Sequence, residues 1–370
     1  VARNALLYAL APATLMVIAV VGAATAFLAA SIGLLQNDIK KVLAYSTVSQ
    51  LGFMFLALGV GAFSAALFHL MTHAFFKACL FLGAGSVIHA LKGEQDIRKM
   101  GGLRTVLPVT FLTFSLSTFT IAGFPPLSGF FSKDEILWGS FANGSPLLWA
   151  IGAGTALMTA FYIFRLSTLV FEGDSRFPSD VVPHEAPPSM TIPLIVLAVL
   201  AASGGLLGIP VSLGGRNILH GWFKPVFTDA EAILGAGHTH DRLTEYLLMT
   251  VSVCIALAGF FLARRFYRYG PSADDRLAKS APFAVRLVTN KYFIDEFFQN
   301  TVAHPLVTFS DRVLNRIVDI RIIDGFVNGC ARLIAGMSDV LRRLQTGITQ
   351  HYATLLATGA LLVLLSILLP

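Results

Sequence analysis

Charge is scarce in this chain. Of its 370 residues only 13% are Asp, Glu, Lys or Arg, against roughly a quarter in soluble globular domains. That shortage excludes an ordinary water-soluble domain. Cysteine is scarcer still. Cys79, Cys254 and Cys330 stand far apart in apolar or amphipathic stretches, in no CxxC pair and no metal-ligand cluster, and they read as buried packing residues. Iron–sulfur cysteine spacing, a phosphate loop and a dinucleotide fingerprint are absent, so the chain itself is not expected to carry redox chemistry. No secretory signal peptide is visible, and the opening Val1 close to an apolar run reads as a truncated N-terminus. What the sequence has in plenty is apolar surface: 55% hydrophobic residues and a mean hydropathy of +0.72. The net charge of +6 is then read as positive loop charge beside a membrane, not as a nucleic-acid surface.

Several apolar runs approach the ~20 residues that cross a bilayer. Eight spans are expected, at about 9–33, 41–61, 63–90, 107–141, 147–171, 190–209, 245–267 and 349–369. The fourth is too long for one simple crossing and carries Gly123, Pro125, Pro126 and Gly129 at its centre. Proline lacks the amide donor and clashes with the preceding turn, so this span is expected to be broken. Placing the 38–41 loop in the cytoplasm gathers Lys40, Lys41, Lys92, Arg98, Lys99, Arg104, Arg176, Arg264, Arg265 and Arg268 on one side, against Arg3, Arg216, Lys224 and Arg242 on the other. That is the positive-inside pattern, and it sets the C-terminus outside.

The 311–345 stretch differs. Val313, Ile317, Ile320, Ile323, Val327, Cys330, Ile334, Met337, Leu341 and Leu344 recur at intervals of three and four, and charged residues fill much of the rest. This spacing predicts one amphipathic helix that lies along a membrane surface. An upstream part from about 291 extends it, with a break at Pro305. The loops 172–189 and 210–244 show no clear domain. His238-Thr239-His240-Asp241 in the second is a weak metal-ligand signal and is not read as a metal site.

Three groups carry chemistry. His69, His73 and Lys77, spaced by four, fall on one helical face inside the third span. A lysine at membrane depth is costly and points to function, and two imidazoles in line with it can each accept and donate protons. The competing reading is a paired lysine beside core histidines. Lys133, Asp134 and Glu135 follow the break in the fourth span. Broken helices expose backbone groups only where they face protein or a water-filled cavity, and transporters place such breaks at ion sites. Lys133 is expected to face that cavity, with Asp134 and Glu135 as candidate partners; the bland reading is a kink near an interface. Asp38 and Lys40 sit in a turn open to two readings, a solvated connector or a proton entrance. Ser46, Thr47, Ser49 and Gln50 add polar groups to the next span, able to hydrogen-bond across helices or hold water.

On these residues the chain becomes recognisable. QNDIKKVLAYSTVSQLGFMFLALG, FHLMTHAFFKACLFL, KMGGLR and GFFSKDEIL resemble the antiporter-like membrane subunits of bacterial NADH–quinone oxidoreductase (respiratory complex I). The tail from NKYFIDEFF to LQTGITQHYA resembles the long lateral helix of the L-type branch, against the shorter M and N relatives. The resemblance covers essentially the whole chain. It implies an all-α, polytopic transmembrane bundle with a broken helix and a long amphipathic lateral helix. Family members hold two inverted five-helix repeats. Residues 1–172 match the second repeat, with the first expected to be missing. Residues 173–268 match two further spans with loops, 269–346 a linker and lateral helix, and 347–370 a last span.

By motif match, His69, His73 and Lys77 fall on the family's hydrophilic axis, Lys133 with the adjacent Asp134 on the proposed outlet, and Asp38 and Lys40 near a subunit contact. The implied function is proton translocation in a bacterial inner membrane, driven by NADH-to-quinone electron transfer in other subunits. The chain itself then holds no catalytic redox residue, no cofactor and no metal; NAD, FMN, iron–sulfur clusters and quinone belong to other subunits. Expected partners are the M and N subunits and their neighbours through the lateral helix, the lipid bilayer and protons, and no nucleic acid. The alternative expectation is a subunit of a multisubunit Na+/H+ antiporter. A purely structural brace is a third, against which the in-line His69, His73 and Lys77 argue.

Overall fold

The protein is described here by a computed structural model covering residues 1–235 and 242–369, so the His238-Thr239-His240-Asp241 run lies outside the described residues. No strand occurs among the described residues; one isolated backbone bridge joins Asp38 to Asp96. The chain forms two compact units, Val1–Tyr292 and Phe293–Pro370.

The first unit begins with the short α1 (Ala5–Ala9), followed by α2 (Pro12–Leu35), α3 (Ile39–Gly59) and α4 (Phe63–Ala90). Then come α5 (Pro108–Ala122), α6 (Ser128–Gly139), α7 (Pro146–Phe171) and α8 (Pro188–Ser203), which continues as a tighter turn over Gly204–Gly208. The amphipathic α9 (Ile218–Leu234), the long α10 (Arg242–Tyr267) and the short α11 (Ser272–Ser280) and α12 (Pro282–Thr289) complete it. Several helices open on proline at their first position, where the missing amide removes no hydrogen bond.

Among the described residues seven helices have the length and hydropathy to cross a membrane: α2, α3, α4, α7, the run Pro188–Gly208, α10 and the C-terminal Thr349–Leu368. They match seven of the eight expected spans. The eighth, 107–141, is divided into α5 and α6, neither of which is long enough alone. The division is built from glycine as much as proline. Gly123 caps α5 at φ 87°, where a side chain is strained. Gly129 presses on α5 so closely that a Cβ there would lie 1.8 Å from the Thr120 carbonyl oxygen.

Small residues also bring α2 and α3 into backbone contact. A Cβ on Gly52 would sit 2.4 Å from the amide nitrogen of Ala26, and one on Gly59 2.2 Å from that of Ala19. Lipid tails supply no hydrophobic drive for two helices to associate, so this close van der Waals approach is what joins them. Of the cysteines only Cys79 is buried. Cys254 and Cys330 are exposed, which corrects the reading of all three as core residues. The helical pattern that makes a position apolar does not say whether lipid, a neighbouring chain or this chain's own core covers it.

The loops at one end of the first unit are bound together. Ile39 donates its amide to Gln95 O at 3.0 Å and Ile97 to Asn37 O at 2.9 Å. The Arg176 guanidinium donates to the Arg98 carbonyl, and Arg264 pairs with Glu172 at 3.5 Å. Basic residues assigned from sequence to one side of the membrane therefore do share one end.

The second unit is one long helical run followed by an apolar helix. The run passes through α13 (Ile294–Phe298), α14 (His304–Phe309) and α15 (Gly325–Arg342), joined by wider turns over Gln299–Ala303 and Ser310–Asp324. Pro305 lies in the first turn of α14 and the run continues through it, so the expected break does not occur. The wider turn over Gln299–Ala303 directly precedes it, and such a local widening is one way a helix accommodates an interior proline. The final helix is α16 (Thr349–Leu368), and no described residue of this unit is buried.

Candidate functional site

His69, His73 and Lys77 lie on α4, and their spacing of four turns all three inward: they are 0%, 7% and 5% exposed. His69 is held on both sides. Its Nδ1 lies 2.9 Å from Ser132 Oγ on α6, and its Nε2 lies 3.2 Å from Gln50 Oε1 on α3. With Gln50 presenting its carbonyl oxygen, the matching tautomer has the hydrogen on Nε2 and Nδ1 accepting from Ser132. Thr72 Oγ1 lies 2.9 Å from Ser132 Oγ and 3.1 Å from the His69 carbonyl. The His73 ring meets the His69 ring at 6.2 Å between centroids and the Phe76 ring at 5.3 Å.

Two nitrogens on this face are buried and have no hydrogen-bond partner among the described residues: His73 Nε2 and Lys77 Nζ. Gln50 Nε2 and Thr118 Oγ1 share that condition. A buried ammonium without a partner is costly, so Lys77 is held charged only where water reaches it and is otherwise a neutral amine. The closest aromatic support for Lys77 is the Phe81 ring, 5.5 Å from Nζ.

Lys133 is arranged differently. It is 4% exposed, and its Nζ donates to the Ile121 carbonyl at 2.9 Å. Ile121 lies in the last turn of α5, where helical carbonyls have no intrahelical partner and the helix dipole is negative. The broken helix thus makes the acceptor that holds the lysine. Phe53 places its ring 5.4 Å from the same nitrogen.

The expectation that Asp134 and Glu135 partner Lys133 is corrected. Asp134 Oδ1 accepts from Ser252 on α10 at 2.7 Å, and Glu135 Oε1 accepts from Asn217 at 3.2 Å. Successive helical residues point about 100° apart, so three adjacent charges cannot share one face. Asp134 and Glu135 instead line a cavity of ≈ 450 Å³.

Asp38 and Lys40 stand apart from this axis. Asp38 caps α3, accepting from the amides of Lys40 at 2.8 Å and Lys41 at 3.2 Å, while Lys40 is exposed. Close to them lies a residue that the sequence reading passed over. Arg165 on α7 is wholly buried, and it donates to Gln36 O at 2.8 Å, to Asn37 Oδ1 at 2.7 Å and to Asp274 Oδ2 at 2.7 Å. Its signal was present as a lone charge deep in an apolar span. Ser132, Ser252 and Asn217 gave no such signal.

A broken helix, a titratable axis buried across several spans and an acidic cavity beside it define a class, the multi-pass membrane proteins of antiporter-like architecture. Two family models match this chain. One, "NADH:quinone oxidoreductase/Mrp antiporter, TM", covers residues 1–159; the other, which describes the membrane-spanning C-terminus of an NADH dehydrogenase (complex I) chain, covers 163–304. Chain 5 of the NAD(P)H-quinone oxidoreductase of Picosynechococcus sp. is 43% identical over 95% of this chain and 55% of its own length. Subunit L of the NADH-quinone oxidoreductase of Mycobacterium tuberculosis is 39% identical over 98% of this chain and 56% of its own. This chain therefore spans just over half the length of these two relatives. A structure of the Mrp complex from Dietzia sp. shares the fold, with a TM-score of 0.50 and 22% identity over 65% of this chain and 49% of that one. The chain belongs to the antiporter-like membrane subunits of the NADH–quinone oxidoreductase/Mrp family, in the branch whose members are named subunit L or chain 5.

Proposed function

We propose that this chain passes protons as an L-type membrane subunit of an NADH–quinone oxidoreductase in a bacterial inner membrane. The observation that carries the reading is the buried run of exchangeable groups, with Gln50, His69, Ser132 and Thr72 in hydrogen-bond contact and His73 and Lys77 on the same face of α4. His69 Nδ1 accepts a hydrogen bond from Ser132 while Nε2–H faces Gln50, so a proton that reaches Ser132 through Thr72 as Ser132 hands its own to Nδ1 leaves the hydroxyl neutral and the ring cationic. Hydroxyl rotors at Ser132 and Thr72 reverse their donor direction at low cost. Lys77, with no hydrogen-bond partner among the described residues, changes protonation state in response to small shifts of nearby charge. Lys133 on the Ile121 carbonyl is the station beside the broken helix.

In this reading the energy comes from electron transfer in other subunits, which bind NAD, FMN, iron–sulfur clusters and quinone, and this chain holds none of them. The M and N subunits and their neighbours are the proposed partners of the long helix of the second unit, lying along the cytoplasmic face. Asp38 and Lys40 are then surface groups near a subunit contact. The Na+/H+ antiporter alternative shares the fold. The long helix and the names of the relatives favour the oxidoreductase.

The test is proton uptake driven by NADH oxidation in membrane vesicles carrying the full-length subunit in its complex. Lys77→Ala should lower the pumping rate on the order of tenfold or more, with assembly intact. His73→Ala should have a smaller effect, since water can bridge the gap. Assembled Lys77→Ala complex that pumps at the wild-type rate and ratio would remove the axis from the pathway.

A further inference from the structure

Four buried polar atoms without a hydrogen-bond partner among the described residues fall in sequence between His69 and the basic end of the bundle. They are Gln50 Nε2, Ser46 Oγ, Tyr162 Oη and Arg165 Nε. All four residues are 0% exposed. Gln50 already touches the α4 axis, through its Oε1 on His69 Nε2 at 3.2 Å. Ser46 lies one turn before it on the same face of α3. The Tyr162 hydroxyl of α7 lies beside Ser46 and Thr159 without bonding to either. Arg165 follows Tyr162 by one turn of α7 and pairs with Asp274 at 2.7 Å, whose side chain is 17% exposed. The row therefore runs from a histidine in the middle of the membrane to a carboxylate at the surface.

Hydroxyls in these helices normally bond to the carbonyl four residues back. Thr47, Thr120, Ser140, Thr155 and Thr159 all do so. Ser46 does not, although the Val42 carbonyl is in the same position for it. Thr159 gives its hydrogen to the Thr155 carbonyl at 2.9 Å, so it can offer Tyr162 only a lone pair. Adjacent buried groups left unpaired by protein are the places where internal water is held.

We propose that Tyr162 and Ser46 form a water-bearing branch that carries protons between His69 and the Asp274 end of the bundle. The branch rests on the proton-passing reading of the axis and adds a connection to the surface that α4 and α6 do not supply. The Gln50 amide holds a water and does not itself exchange the proton. A cationic His69 ring releases its Nε2 proton to that water, which passes one to Ser46. Ser46 passes its own hydroxyl proton to Tyr162, and Tyr162 passes its own to water beside Asp274. Every oxygen ends neutral, and the ring is left neutral with its hydrogen on Nδ1. The reverse order delivers a proton to a ring in that tautomer. Arg165 anchors the outer water through Nε–H, and its pairing with Asp274 offsets the charge that would repel a proton there.

Two measurements on the complex with the full-length subunit test the branch. Hydroxyl radicals generated by X-rays label a buried side chain only where water lies against it. Tyr162 should be labelled, and the equally buried Phe63, packed on the Phe227 ring at 5.5 Å, should not. An unlabelled Tyr162 would overturn the branch. Tyr162→Phe keeps the ring against Gly33 and removes only the hydroxyl. It should slow NADH-driven proton uptake on the order of tenfold or more without lowering the melting temperature, because no protein partner is abandoned. Ser46→Ala should do the same. Lys77→Ala, measured beside them, separates the two readings. Lost pumping in Lys77→Ala with wild-type rates in Tyr162→Phe and Ser46→Ala would overturn the branch and leave the axis standing. Wild-type rates in all three would overturn both.

Discussion

Lys77 and Lys133 are both buried lysines on neighbouring helices, yet removing them should have different structural consequences. Lys133 Nζ satisfies the Ile121 carbonyl at the end of α5. Lys133→Ala leaves that acceptor buried and unpaired, at a cost of about 1–3 kcal/mol, so the complex should melt earlier as well as pump less. Lys133→Arg should not restore pumping, because arginine hardly deprotonates. Lys77 has no hydrogen-bond partner to abandon among the described residues, so Lys77→Ala should lose pumping without a fall in melting temperature. A melting temperature lowered equally in both would show that Lys77 is structural. Ser132→Ala tests the bridge between α4 and α6: it removes the donor to His69 Nδ1 and the partner of Thr72. A loss of pumping should follow, measured as proton uptake at constant NADH oxidation. That the α4 triad shares one face was legible from spacing alone; its burial is seen only in the packed bundle. The Ser132 contact was not legible, since a serine in an apolar run carries no sign of what it meets across the bundle.

Among the elements the broken helix is the clearest in sequence and also the one whose detail was least accessible. Gly123, Pro125, Pro126 and Gly129 cannot continue a helix, so a break follows from the residues alone. The direction of each charge after the break depends on the rotation of α6, and that rotation is fixed by Gly129 lying against Thr120. Three consecutive charged or acidic residues therefore read as a possible cluster and fold as a fan. Gly129→Ala forces a Cβ into backbone that cannot yield, so its penalty should exceed the roughly 1–3 kcal/mol typical of overpacking. Gly123→Ala should cost about 1–2 kcal/mol from the left-handed backbone. Thermal melting of the assembled complex checks the order, and a Gly129→Ala complex as stable as wild type would show that the two helix ends are not pressed together.

At the scale of the first unit, Arg165 ties one end of the bundle. Its guanidinium joins the 36–37 turn to Asp274 on α11, with the Tyr267 hydroxyl donating to the other Asp274 oxygen at 2.6 Å. Removing one side of a buried ion pair strands the other, at roughly 3–5 kcal/mol. Arg165→Met should therefore destabilise more than Asp274→Asn, which keeps a polar acceptor in place. Melting curves of the two complexes test this, and equal midpoints would mean that water already satisfies Asp274.

Read without coordinates, the residues already specify a helical membrane protein, where the spans run, where one of them breaks, and that His69, His73 and Lys77 share a face. Those properties depend on the period of a helix, on the backbone limits of proline and glycine, and on the thickness of apolar runs, all of which are local. It takes the packed bundle to see that Lys133 turns to the Ile121 carbonyl, that Asp134 and Glu135 face a cavity shared with α9 and α10, that Arg165 locks a distant turn, and that Cys254 lies exposed. Each of these depends on how one helix is rotated against another. In a membrane that rotation is set by small residues in close contact and by the pairing of buried polar groups, which no single segment encodes.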